Sequence, residues 1–116
     1  MNSYNSGRGA EFLALVFLLF KGYRKIKSNY ITGRGTSAGE VDLIMQKKHT
    51  LIFVEVKKRR TINDAAYAIG VEQQQRIRRA AEVYLGRHME FKNYNIRFDA
   101  ILVKFPCSIQ HIKNAF

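Results

Sequence analysis

Gly39-Glu40-Val41-Asp42-Leu43-Ile44-Met45-Gln46-Lys47-Lys48-His49-Thr50-Leu51-Ile52-Phe53-Val54-Glu55-Val56-Lys57-Lys58 is the stretch around which the chain is organised. Two apolar, β-branched-rich runs, Val41–Met45 and Leu51–Val56, flank a polar segment at Lys47–Thr50, the pattern of a β-hairpin. Strand side chains alternate between faces, so Glu40 shares a face with Asp42, and Glu55 with Lys57. With Lys48-His49 as a two-residue turn, antiparallel partners sum to 97, which sets Asp42 opposite Glu55 and Glu40 opposite Lys57. Directly opposed Cβ atoms lie about 4.5–5.5 Å apart. Three carboxylates and one ammonium are therefore expected at one end of an otherwise greasy hairpin.

Carboxylates this close repel, and one is pushed towards protonation unless a cation compensates. Lys57 supplies one positive charge, and a hard divalent ion, Mg²⁺ or Mn²⁺, is the natural remainder. Mg²⁺ binds through one or two carboxylates plus waters and substrate phosphate. In that reading Asp42 and Glu55 hold the ion, which lowers the pKa of a bound water and polarises a phosphoryl oxygen. Lys57 orients the attacking water or steadies charge in the transition state, with Glu40 auxiliary. The alternative is a pair of surface salt bridges, each worth about 0–1 kcal/mol. It accounts for Glu40 with Lys57 but leaves Asp42 and Glu55 as like charges across the strands, a destabilising arrangement.

Composition narrows the partners. At 116 residues, 47% of them hydrophobic, the chain has the size and content of one folded domain. Lys and Arg number 20 against 9 Asp and Glu, giving a net charge of +11 and a pI of about 10.1. Such a charge points to polyanions, nucleic acid first and an anionic membrane surface second. An acidic pit on a basic surface suits a metal-assisted nuclease, since the surface holds phosphates and the pit holds the ion. The single cysteine, Cys107, excludes an internal disulfide, fits a reducing compartment and reads as a small buried or half-buried apolar residue. Phe12–Phe20 is too short to span a membrane and follows Glu11 rather than a basic segment. A cytoplasmic protein with no membrane partner is expected.

In chain order, a helix is expected from about Gly7 to Phe20, apolar around nearly its whole circumference and so buried on most sides. Glu11 shares a face with Ala14, Leu15 and Leu18, so it either leans towards the core or sits favourably as a first-turn acid. Gly22 stops the helix, and Tyr23–Ile31 follows as an edge strand with alternating cations. The glycine-rich loop from Thr32 to Gly39 leads into the hairpin, where Arg34 is a candidate phosphate contact. After Lys57, the cations Lys58, Arg59 and Arg60 are further candidates. A second helix, Val71–Gly86, carries the stripe Ile77, Ala80, Ala81, Tyr84 and Leu85. Arg76 and Arg79 lie off that stripe as phosphate contacts, while Gln73 and Gln74 continue it towards the acidic cluster. Asn93–Lys104 reads as a largely buried strand in which Asp99 is a structural hydrogen-bond acceptor, and Phe116 docks on the body.

Asp42, twelve intervening residues and Glu55-Val56-Lys57 resemble the PD-(D/E)-x-K pattern of restriction-endonuclease-like nucleases. Val41 stands where that pattern has proline. More narrowly, the chain resembles the YraN-like family, related in fold to archaeal Holliday-junction resolvases. Gly7, Ala10-Glu11, Gly39–Ile44, Phe53–Lys57, Arg97-Phe98-Asp99 and His111-Ile112 with Asn114-Ala115-Phe116 carry the likeness over nearly the whole chain. The resemblance implies a restriction-endonuclease-like α/β domain, a mixed sheet of four or five strands flanked by helices. It also implies a Mg²⁺- or Mn²⁺-dependent endonuclease on DNA rather than RNA, with branched or structured DNA as a candidate substrate. Glu11 would be a third metal ligand and Gln74 an auxiliary catalytic residue. Gln73 stands where relatives usually carry lysine. A homodimer follows because paired cuts need two sites. The reading from a different class is a nucleic-acid-binding protein of the same fold without hydrolysis.

Overall fold

The computed structural model describes residues 3–33, 38–59, 69–104 and 108–116, with side chains from residue 8 onward. The hairpin forms with the turn and register that its sequence dictates. Strands β2 (Gly39–Lys47) and β3 (Thr50–Lys58) are joined by Lys48 and His49, with Lys48 in the left-handed region at φ 54°. Their ladder runs from Lys47↔Thr50 to Leu43↔Val54, partners that sum to 97. Strand β1 (Arg24–Thr32) pairs antiparallel with β2, β4 (Asn95–Lys104) parallel with β3, and β5 (Ser108–Ile112) antiparallel with β4. The result is a five-stranded mixed sheet in sequential order.

A parallel neighbour requires a crossover. Helix α2 (Val71–Arg87) lies in that connection and packs on one face of the sheet, and helix α1 (Ser3–Phe20) packs on the other. One core joins Ala10, Ala14 and Leu18 of α1 to Leu43, Met45, Ile52, Val54, Ile101 and Val103. The other joins Ile77, Ala80, Ala81 and Tyr84 of α2 to Val41, Ile44, Leu51 and Phe53. Covered from both sides, β3 reads as the continuous buried run Leu51–Glu55. A mixed sheet with a helix on each face is the restriction-endonuclease-like arrangement expected from the sequence.

Two glycines position the helices. Gly22, at φ 96°, ends α1: its N–H reaches Leu19 O at 3.0 Å, and that of Tyr23 reaches Leu18 O at 3.0 Å, a Schellman closure. At Gly39 a Cβ would stand 2.6 Å from the backbone nitrogen of Ala80, so α2 rests directly on the start of β2. That contact brings Arg76 and Arg79 beside the acidic end of the hairpin.

Two expectations need correction. Helix α1 starts at Ser3, ahead of Gly7, and is not buried on most sides: Phe12 is 65% exposed, Leu19 47% and Phe20 88%. One helix on one face of a sheet fully buries its Ala10–Ala14–Leu18 stripe, packs Leu13, Leu15 and Phe17 partly against the same core, and leaves Phe12, Leu19 and Phe20 outward. The tail also holds an edge strand, β5, whose short polar sequence gave no strand signal. Phe116 docks as expected, with its ring 5.4 Å from that of Phe98 and Ala115 N–H on Phe98 O at 2.8 Å. Asp99 is fully buried and accepts from Arg97 Nε and Nη2 (2.8 Å each), His111 Nε2 (2.7 Å) and the Asn114 N–H (3.2 Å), the structural role expected of it. Cys107 lies outside the described residues.

Candidate active site

The hairpin ladder ends at Leu43↔Val54, and the next position holds Asp42 and Glu55. Asp42 continues the pairing with its side chain: Oδ2 accepts the Val56 backbone N–H at 2.8 Å. Glu55 is 4% exposed, and its Oε2 has no hydrogen-bond partner. Burial first, then the hydrogen bond and charge of Asp42, push the Glu55 carboxyl up to about 9. Lys57 opposes this, but its Nζ stands 3.8 Å from Oε2 and is partly in water, so burial and the neighbouring Asp42 carboxylate outweigh it.

Strand alternation breaks at this point. Val41 packs in the α2 core, whereas Leu43, two residues on, packs in the α1 core. Across the sheet Ser28 pairs with Leu43 and Tyr30 with Val41, so Asn29 stands beside the break, at φ 52°. Asparagine tolerates that left-handed conformation. Its carboxamide donates to Glu11, whose carboxyl is nonetheless raised, by partial burial first and by the charge of Asp42 next. Glu11 of α1 is thus an electrostatic neighbour of Asp42 and, more weakly, of Glu40.

Glu40 does not meet Lys57. Its Oε1 pairs with Arg76 Nη2 of α2 at 3.0 Å. The ladder stops before Glu40 has a partner on β3, and the close seat of α2 on Gly39 offers a guanidinium instead. Glu40 still raises the carboxyls of Glu11 and Glu55 from that position.

Among the described residues no three His, Cys, Asp or Glu side chains converge tightly enough to form a metal cage. The donor set nonetheless fits a hard divalent ion. Glu55 Oε2 is buried and unpartnered, Asp42 is in contact, and Glu11 adds a third acid nearby. Mg²⁺ needs only one or two carboxylates, with waters completing its shell.

Residues 10–103 match the family described as Uncharacterised protein family UPF0102. The chain belongs to that family. It is 41% identical to the UPF0102 protein of Natranaerobius thermophilus over 122 residues, covering 100% of both chains. The UPF0102 proteins of Nitrobacter winogradskyi and Rhodopseudomonas palustris (strain BisB18) are each 39% identical over 98% of this chain, and 93% and 82% of their own lengths are covered. This is the family the hairpin and its flanking motifs resembled. The matched segment contains Glu11, Glu40, Asp42, Glu55, Lys57 and Gln74 and stops short of His111–Phe116. Among the described residues no helix is long and apolar enough to cross a membrane.

The remaining candidates fall into three groups. Gln74 donates from Nε2 to Ile69 O at 2.7 Å, closing the first turn of α2. Arg79 is half-buried and donates from Nε to Ala38 O at 3.2 Å, so it fastens α2 to the start of β2. Lys58 is exposed at the end of β3, where Arg59 N–H holds Val103 O at 2.9 Å and Arg59 Nη1 reaches Lys58 O at 3.1 Å. Arg34 and Arg60 lie outside the described residues. Sequence reasoning missed Asn29. The one available signal was an asparagine within a run of strand formers, a residue type enriched at positive φ.

Proposed function

We propose that the chain is a metal-dependent phosphodiesterase acting on DNA. The observation that carries this reading is the Asp42–Glu55 pair, a buried carboxyl with an unpartnered oxygen beside Lys57. A structural ion pair would satisfy that oxygen. A strongly perturbed acid at the end of a basic hairpin is instead what acid–base and metal-assisted chemistry uses. Asp42 and Glu55, with Glu11, would hold Mg²⁺ or Mn²⁺, which supplies a water of lowered pKa and a polarised phosphoryl oxygen. Lys57 keeps a partly exposed ammonium 3.8 Å from Glu55, positioned to meet charge building on the phosphate. Lys58 and Arg59 follow on the same strand end to hold neighbouring phosphates, and Arg76 holds Glu40 in place.

Branched or structured DNA is the substrate class in this reading, with two copies of the chain making paired cuts in a reducing compartment. The test is incubation of labelled linear, single-stranded and four-way-junction DNA with Mg²⁺ or Mn²⁺ against a Glu55→Gln control. Products that require metal and vanish with Glu55→Gln support the reading, and no product from any substrate refutes it. A second reading, binding without hydrolysis, draws on the use of Asp42 Oδ2 for the Val56 N–H. A pure binder keeps its affinity in Asp42→Asn and never cuts.

A further inference from the structure

Between the N-terminal half of α1 and the kinked part of β1 lies a solvent-facing cavity of about 210 Å³. At about 30 Å³ per liquid water it has room for roughly seven waters, the scale of one small ring system and far below that of a helix or a duplex. Leu15 and Leu43 give it an apolar side, and Ser28 and Asn29 give it a hydroxyl and a carboxamide. Phe12 stands at its rim with 65% of its surface in water, and Arg8, also exposed, stands one turn earlier on α1. Glu11 links the cavity to Asp42, since it lines the cavity and feels the charge of Asp42.

Each part has a use with the same ligand. An exposed aromatic ring is a stacking platform, sequence-tolerant because every base has a π-face. Hydroxyl and carboxamide groups read the edges of bases that are not paired. A guanidinium one turn away suits the adjoining phosphate. A base inside a duplex cannot reach such a recess without leaving the stack. Asn29 is held at φ 52° where it both lines the recess and donates to Glu11.

We propose that this cavity seats one unpaired nucleobase, stacked on Phe12, so that its neighbouring phosphate lies against the Asp42–Glu55 pair. The inference rests on the nuclease reading and sharpens it: the substrate is cut next to an unpaired nucleotide, as at a branch point or a single-stranded end.

The chain has no tryptophan, so Phe12→Trp installs a single indole reporter in the full-length protein. Binding is read in EDTA with a single-stranded oligonucleotide, its abasic counterpart with the same phosphates, and a blunt duplex. The expected result is quenching of the indole by the single strand and none by the abasic strand. Phe12→Ala should weaken single-strand binding about tenfold, with duplex binding unchanged. Phe12→Trp should retain wild-type affinity, and Asn29→Gly, which keeps the positive φ, should lose part of it. Equal losses on duplex and single strand, no loss at all, or conversion of a dimer to a monomer by Phe12→Ala in sedimentation would overturn the proposal. Failure of the two readings separates cleanly. Metal-dependent cleavage that survives without any base contrast removes the pocket and leaves the nuclease. A base contrast without cleavage removes the nuclease and leaves the pocket, and no binding to any oligonucleotide removes both.

Discussion

Replacing Glu55 by glutamine should stabilise the metal-free protein, and the gain should grow with pH. The Glu55 carboxyl is raised from 4.5 to about 9, by burial first and by Asp42 next. The folded state therefore keeps a proton that the unfolded chain releases above about pH 4.5. Stability is fully present below that value and falls as pH rises, until the folded group also ionises near 9. Each pH unit inside the window is worth at most about 1.4 kcal/mol, so the ceiling at pH 7 is about 3 kcal/mol. Glutamine has the shape of the protonated acid and cannot ionise, so Glu55→Gln lacks this loss. Thermal unfolding by circular dichroism in EDTA, at pH 5, 7 and 9, should show nearly equal midpoints at pH 5. At pH 7 the variant should melt higher by roughly 4–8 °C for each kcal/mol recovered. Mg²⁺ or Mn²⁺ should close the gap by stabilising only the wild type, about 2.7 kcal/mol at one hundred times the dissociation constant. Parallel pH curves for the two proteins, or a variant less stable at pH 7, would refute the reasoning.

Other outcomes follow from the same geometry. Lys57→Ala should abolish cleavage with modest effect on binding, a loss of ~10²–10³ in rate, whereas Lys58→Ala should weaken binding and spare turnover. Equal effects on turnover would show that the two side chains do not face opposite ways. The slope of log K against log salt on duplex DNA should lie near −3 if Lys58, Arg59 and Arg60 make the phosphate contacts, approaching −5 only if Arg76 and Arg79 leave Glu40 and Ala38 to join them. A titration of fluorescence anisotropy reads it, and a slope near zero refutes nucleic-acid binding in every form. Burial alone would raise Asp99, but hydrogen bonds from His111 and Arg97 outweigh it and hold the carboxyl below its usual range. Its contribution is therefore present above about pH 4 and lost as pH falls through the depressed value. Asp99→Asn should cost about 3–5 kcal/mol in urea unfolding by stranding Arg97 and His111, and a loss under 1 kcal/mol would contradict the network.

Much of this molecule was legible in its sequence because neighbours in the chain remain neighbours in space. A two-residue turn and a period of two were enough to set Leu43 against Val54 and to bring Asp42 and Glu55 together. A period of 3.6 was enough to turn Ile77, Ala80, Ala81 and Tyr84 towards the sheet. Asp99 was readable as a structural acceptor because a charged residue inside a buried strand has to be paired. Tertiary structure decided what depends on distant elements. Glu40 found Arg76 because α2 rests on Gly39, a contact between residues about forty apart in sequence. The break between Val41 and Leu43 is matched across the sheet by Asn29 at positive φ, and no periodicity in β2 announces it. Helix α1 is apolar all round, yet only one stripe is fully buried and Phe12, Leu19 and Phe20 stay exposed, because the sheet has a single face to offer it. The proton on Glu55 belongs to the same class. Sequence places two acids side by side, but how strongly they hold a proton depends on how much water the two packed layers exclude, and only the assembled fold sets that.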